Sequence, residues 1–111
     1  MKKIIQILLF SSLIISCQEP IRIELDTKLE NVKIQPKEAL ALANDEIEKN
    51  YHLNKDNLNS NNPNLDLKIH ITKKGEWYYF KKTNYPAMSN SFYLEKAVMV
   101  NSNTGEIKLS K

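Results

Sequence analysis

The sequence predicts an α+β fold: one helix packed on one face of a small antiparallel β-meander of three to four strands. Three patterns carry this expectation. Leu40, Ala43, Ile47 and Tyr51 recur at helical spacing and make one apolar stripe, widened by Ala39. Leu65, Leu67, Ile69 and Ile71 alternate with Asp66, Lys68, His70 and Thr72, the period of a half-buried strand. Phe92, Leu94, Val98 and Val100 alternate in the same way against Tyr93, Glu95, Ala97 and Met99. The run from Asn101 to Glu106 that follows is rich in turn formers. A helix followed by strands favours a helix layered on a sheet.

Ahead of these elements lies a leader. Lys2 and Lys3 open it, and an apolar run from Ile4 to Ile15 follows, interrupted by Gln6, Ser11 and Ser12. A positive start, a short apolar middle and a small residue at the cut predict a secretory signal peptide. The run is too short to cross a bilayer comfortably as a helix. Cys17, the one cysteine in the chain, stands where cleavage would expose it. A lone thiol in an oxidising compartment has no disulfide partner. The segment Leu13–Cys17 resembles the bacterial lipobox, in which branched apolar residues and then a small residue precede a cysteine. That resemblance implies cleavage between Ser16 and Cys17 and acylation of Cys17, palmitate being among the chains. Several acyl chains anchor firmly where one binds only marginally. Gln18 stands where an aspartate would retain many lipoproteins in the inner membrane, which leans the expectation toward the outer membrane, with the domain facing the periplasm or exterior.

Loss of residues 1–16 leaves 95 of 111 residues, enough for one small domain. The expected division is a cleaved leader (1–16), a lipidated N-terminus with a linker or edge strand (17–33), and an α+β domain (34–111). Lys2 and Lys3 leave with the leader, so 14 basic face 13 acidic side chains, a net of about +1. No basic patch with interleaved aromatics stands out, so nucleic acid is not an expected partner. Gly75 and Gly105 are the only glycines, too few for a phosphate-cradling loop.

Element by element, Ile21–Leu25 alternates apolar and charged residues and reads either as an edge strand or as an extended linker. The helix is expected from Pro36 to Tyr51: proline suits the first turn, and Glu38 faces the positive end of the helix dipole. Residues 54–64 form a polar connector. Its Asn and Asp content suggests calcium, but a loop starting at Asp56 would place Leu58, Asn61 and Leu67 where an EF-hand needs an oxygen ligand, glycine and glutamate. Lys73–Glu76 is a turn, Trp77–Phe80 opens the second strand, Thr83–Ser91 is a long loop, and Ile107 and Leu109 lie in a short last strand.

The chain carries little catalytic chemistry. His52 and His70 have no second ligand nearby in sequence, so no metal or cofactor is expected. No nucleophile elbow or Ser-x-x-Lys occurs, and the domain is expected not to be an enzyme. The aromatics offer more. With a two-residue turn at Lys74-Gly75, residues 71 and 78 pair; Tyr78 and Phe80 join Ile69 and Ile71 in the core, and Trp77 and Tyr79 face outward. With a three-residue turn every face flips and Trp77 is core. In the first case Trp77 and Tyr79, extended by Tyr85 and Met88 of the long loop, form a candidate partner-binding surface.

The segment Ile34–Ala43, with its proline and Glu-Ala pair, resembles the opening helix of PepSY-type domains. Ala97–Ile107 resembles their closing hairpin of strand, Asn-containing turn, Thr-Gly and short strand, although Asn101 stands where the family usually carries aspartate. The resemblance spans about residues 34–109. It implies a small, non-catalytic extracytoplasmic binding module that modulates a protease or another envelope protein. The same order of helix, tryptophan strand and closing turn also resembles small immunity proteins of the nuclear-transport-factor type, which implies a lipid-anchored neutraliser of a cognate toxin. Such proteins often carry a glycine-rich segment after the tryptophan strand, which this chain lacks.

Overall fold

The computed structural model describes residues 19–54, 57–61, 66–86 and 88–111. The leader, Ser16, Cys17 and Gln18 lie outside the described residues, as do Leu65 and parts of the polar connector. Seven elements follow in order: β1 (Ile21–Ile23), α1 (Pro36–Leu53), β2 (Lys68–Lys74), β3 (Trp77–Thr83), α2 (Asn90–Leu94), β4 (Val98–Asn101) and β5 (Ile107–Leu109). The strands form one antiparallel sheet in the order β1-β2-β3-β4-β5. The class is the α+β meander that the periodicities predict, with five strands instead of three to four. The added strand is β1, which pairs Ile21 with Lys73 and Ile23 with Ile71.

Helix α1 begins where proline and the first-turn glutamate place it. The Glu38 carboxylate accepts the Gln35 N–H at 3.2 Å, satisfying a donor at the helix start. The Gln35 side-chain amide meanwhile pairs both ways with the Leu29 backbone, at 2.9 Å each. Ala39, Ala43 and Ile47 are the buried apolar residues of the stripe; Leu40 and Tyr51 are half-buried at its margins. Two alanines at the centre let the helix approach the sheet closely. There they meet Ile71, Tyr78, Phe80, Val98 and Val100. Burial, and then Glu38, push the Tyr78 phenol up to about 12. Its hydroxyl donates to the Ile34 carbonyl at 2.6 Å and ties the sheet to the segment before α1.

The β2–β3 connection is a two-residue turn, but its residues are Gly75-Glu76, with Lys74 and Trp77 as the closing pair. Gly75 has φ +58 in the first central position, which favours glycine. Residue 71 therefore pairs with Phe80, not with Tyr78. The register moves by two residues, which preserves the faces. Tyr78 and Phe80 are core, and Trp77 and Tyr79 lie on the opposite, outer face.

The expectation of a strand through Phe92 and Leu94 is overturned. Residues 90–94 form the short helix α2, and the strand begins only at Val98. Lys96 adopts φ +52, which breaks the chain direction between the two elements. The alternation read across 92–100 joins residues of two different elements. Helix α2 packs on the outer face against β2 and β3. That face is therefore half covered, where a single helix would leave it bare.

The closing turn is built on Asn101, whose Oδ1 accepts the Asn103 and Thr104 N–H groups at 2.9 and 3.0 Å. Gly105 follows at φ +80, and a Cβ there would approach Ile34 Cδ1 to 3.3 Å. The Ser102 carbonyl accepts the Lys33 and Ile34 N–H groups, locking this turn to the helix entry.

Candidate binding surface

Strand alternation places Arg22, His70, Thr72, Trp77, Tyr79, Lys81, Met99 and Lys108 on the outer face. Its covered part is held by Tyr93 of α2, which is fully buried. The Tyr93 ring lies 4.8 Å from that of His70, and the Arg22 guanidinium carbon sits 3.8 Å from the Tyr93 ring centre. Arg22 Nη2 is 2.7 Å from His70 Nδ1. A guanidinium has only donors, so Nδ1 accepts and the histidine is neutral in this arrangement.

Burial first, then Arg22 and Lys68, hold His70 below its ordinary value of 6.5, with Glu24 opposing. An unfolded chain therefore takes up this proton before the folded one does. The stabilising contribution is fully present above the unfolded value and is lost as pH falls from there through the lowered folded value. Urea melts at about pH 7.5 and about pH 5.5 should show a larger acid loss for wild type than for His70→Gln. Equal losses in the two proteins would remove His70 from this role.

Lys81 is the other unexpected member. Only 3% exposed, it donates from Nζ to the carbonyls of Phe92 and Glu95 at 2.9 and 2.8 Å. The same nitrogen lies 3.9 Å from the Phe92 ring centre. It thus satisfies the C-terminal carbonyls of α2 and fixes that helix to the sheet. At the other end of α2, the Asn90 side chain donates to the Pro20 carbonyl at 3.1 Å.

The uncovered part of the face holds Trp77 and Tyr79, both half-buried, beside the nearly buried Met99. Lys108 Nζ lies 4.3 Å from the Trp77 ring centre. Partial burial raises the Tyr79 phenol. Trp77 and Tyr79, with Lys74, Gly75 and Glu76, line a shallow depression of about 340 Å³. The two strand aromatics are therefore brought together as expected of an outward Trp77. Tyr85 is not brought to them. Tyr85 lies beyond the far end of β3, edge-on to Phe92 at 5.2 Å, and Met88 is exposed on the loop before α2. Six residue steps of β3, about 20 Å of strand, separate Trp77 from Thr83. Tyr85 thus stands apart from the Trp77–Tyr79 pair.

His52 is exposed at the end of α1, edge-on to Tyr51. Among the described residues, no group of three His, Cys, Asp or Glu side chains is arranged to hold a metal ion, and no helix is long and apolar enough to cross a membrane. Arg22, Lys81, Tyr93 and Lys108 escape sequence reasoning. The one available signal is that Arg22 is the only arginine in the chain. Comparison with protein-family models, with characterised proteins and with solved structures finds no match.

Proposed function

We propose that this is a lipid-anchored extracytoplasmic protein whose domain is a small, non-catalytic, PepSY-like binding module that holds an envelope protein, a protease being one candidate. The observation that carries this reading is the pair Trp77 and Tyr79, side by side on a sheet face that α2 leaves uncovered. Large, half-buried aromatics lining a shallow depression beside a cation supply contact area at low entropic cost, as the anchors of protein interfaces do. The leader and the Ser16–Cys17 junction support membrane attachment through Cys17. The order of α1, meander and Asn-Thr-Gly-Glu hairpin supports the PepSY-like reading. With a net charge of about +1 for residues 17–111, recognition rests on short-range contact, not on long-range steering.

One experiment tests both halves. Tagged full-length wild type, Cys17→Ser and Trp77→Ala are expressed in bacteria fed a fatty-acid analogue, fractionated, and used to capture partners from membrane extract. Cys17→Ser should be unlabelled and released from membranes. Trp77→Ala should stay labelled and folded in a thermal melt, yet lose about tenfold or more in capture of one envelope protein. Equal labelling of wild type and Cys17→Ser would sink the anchor. Unchanged capture by Trp77→Ala would sink the surface, and capture of a toxin would assign the immunity role instead.

A further inference from the structure

Strand β2 is only half paired on its outer edge. β1 covers Ile71 to Lys73 and then leaves the sheet, while β2 runs back to Lys68. Among the described residues, no strand lies beside Lys68–His70 on that side. The direction of the backbone groups follows from the hairpin. A two-residue turn makes Lys74 and Trp77 a hydrogen-bonded pair, so Lys74, Thr72, His70 and Lys68 bond toward β3. Lys73 and Ile71 then turn their N–H and C=O groups toward β1, and Ile69 and Leu67 turn theirs to the open edge.

A cleft of about 630 Å³ lies along this edge. Leu25, Leu40, Leu67 and Ile69 give it an apolar floor, and Arg22, Lys68 and Lys82 bring cations to it against the one carboxylate of Glu24. Lys82 is paired with Glu48 at 2.7 Å, whereas neither Arg22 nor Lys68 is in an ion pair among the described residues. Leu40, one of the two stripe residues left half-buried, lines this cleft.

We propose that this edge binds an extended, acidic segment of a partner protein as an added strand, continuing the line of β1 alongside Leu67–Ile69. Main-chain bonds to Ile69 and Leu67 supply the affinity common to strand addition, and the side chains supply the choice. Residues on one face of the incoming strand enter the apolar cleft by Leu40 and Ile69. Their neighbours point the other way, toward Arg22, Lys68 and His70, so the segment alternates apolar with acidic. A second copy of this chain does not fit. Antiparallel pairing centred on Ile69 would set Lys68 of each copy opposite the neutral His70 of the other and next to the Arg22 that contacts it, bringing like charges together. The site lies toward the end of β2 away from Ile21. This inference rests on the reading of the domain as a binding module and adds a second contact, apart from Trp77.

The test uses the full chain in detergent micelles and fluorescent peptides of alternating valine with glutamate or valine with lysine. Fluorescence anisotropy should show the glutamate peptide binding about tenfold or more tightly than the lysine peptide. N-methylation of alternate residues in the glutamate peptide should abolish binding. Lys68→Glu, an exposed change confirmed as folded by a thermal melt, should weaken the glutamate peptide about tenfold. Lys111→Glu, beyond β5 at the other edge, should not. Equal binding of both peptides, binding indifferent to N-methylation or Lys68→Glu, no binding at millimolar peptide, or self-association through β2 would each overturn the proposal. If Lys68→Glu captures the native envelope partner normally while Trp77→Ala does not, the edge is refuted and the binding-module reading stands.

Discussion

Phe80→Ala should be the most damaging single change in the domain. Phe80 is fully buried at the centre of the sheet, paired with Ile71 on one side and Val98 on the other. Its ring lies 6.2 Å from that of Tyr78 and belongs to the core cluster that holds Ala39, Ala43 and Ile47 of α1. The methyl groups of those alanines are too short to refill the space. Truncation of a buried phenylalanine costs about 3–5 kcal/mol. A domain of this size has about 5–15 kcal/mol in total, and a chain with one cysteine has no internal disulfide to add to it. Urea melts should show a large fall in midpoint with an unchanged slope. A loss below about 1 kcal/mol would mean that the helix and sheet do not pack through Phe80.

Lys81→Met is the second large effect. Methionine matches the length and apolar stem of lysine and removes only the ammonium. The Phe92 and Glu95 carbonyls lose the donor seen at 2.9 and 2.8 Å. Loss of such part-buried, charge-assisted bonds costs about 1.5–3 kcal/mol. The damage should be local: α2 detaches, and protease cutting between Thr83 and Lys96 accelerates before the rest of the domain opens. Unchanged proteolysis together with an unchanged melt would show that Lys81 does not hold α2.

Lys81 also explains where the sequence stops being readable. The α+β class was legible because α1 and β2 each show their own period over several residues. Helix α2 has one turn, too few residues to show any period, and it exists because Lys81, eleven residues before Phe92, supplies donors for its end. The face of Trp77 hung on turn length, which pattern alone left as two or three residues; the positive φ of Gly75 goes with the shorter one. The aromatic pair on β3 could be named from sequence once that parity was known. The Arg22–His70 contact spans 48 residues and depends on β1 joining the sheet, so nothing local announces it. Nothing local in the long loop fixes its path, so the sequence does not show that Tyr85 lies beyond the far end of β3, away from Trp77.

Three residues separate Cys17 from the start of β1 at Ile21. With Cys17 acylated, the four steps from Cys17 to Ile21 reach at most about 14 Å. Ile21 pairs with Lys73, at the sheet end that also carries the Gly75 hairpin and, across β3, Asn101. In the proposed lipid-anchored form that end would be held against the headgroups, with the start of β2 and the end of β3 pointing away. So short a tether would leave the domain little room to swing and confine it to the membrane plane. A partner anchored in the same leaflet meets it at a high effective concentration, so modest intrinsic affinity suffices for capture. A freely diffusing partner gains no such advantage and must approach from the distal end. Lengthening the stretch before β1 would therefore change partner choice without altering any contact surface.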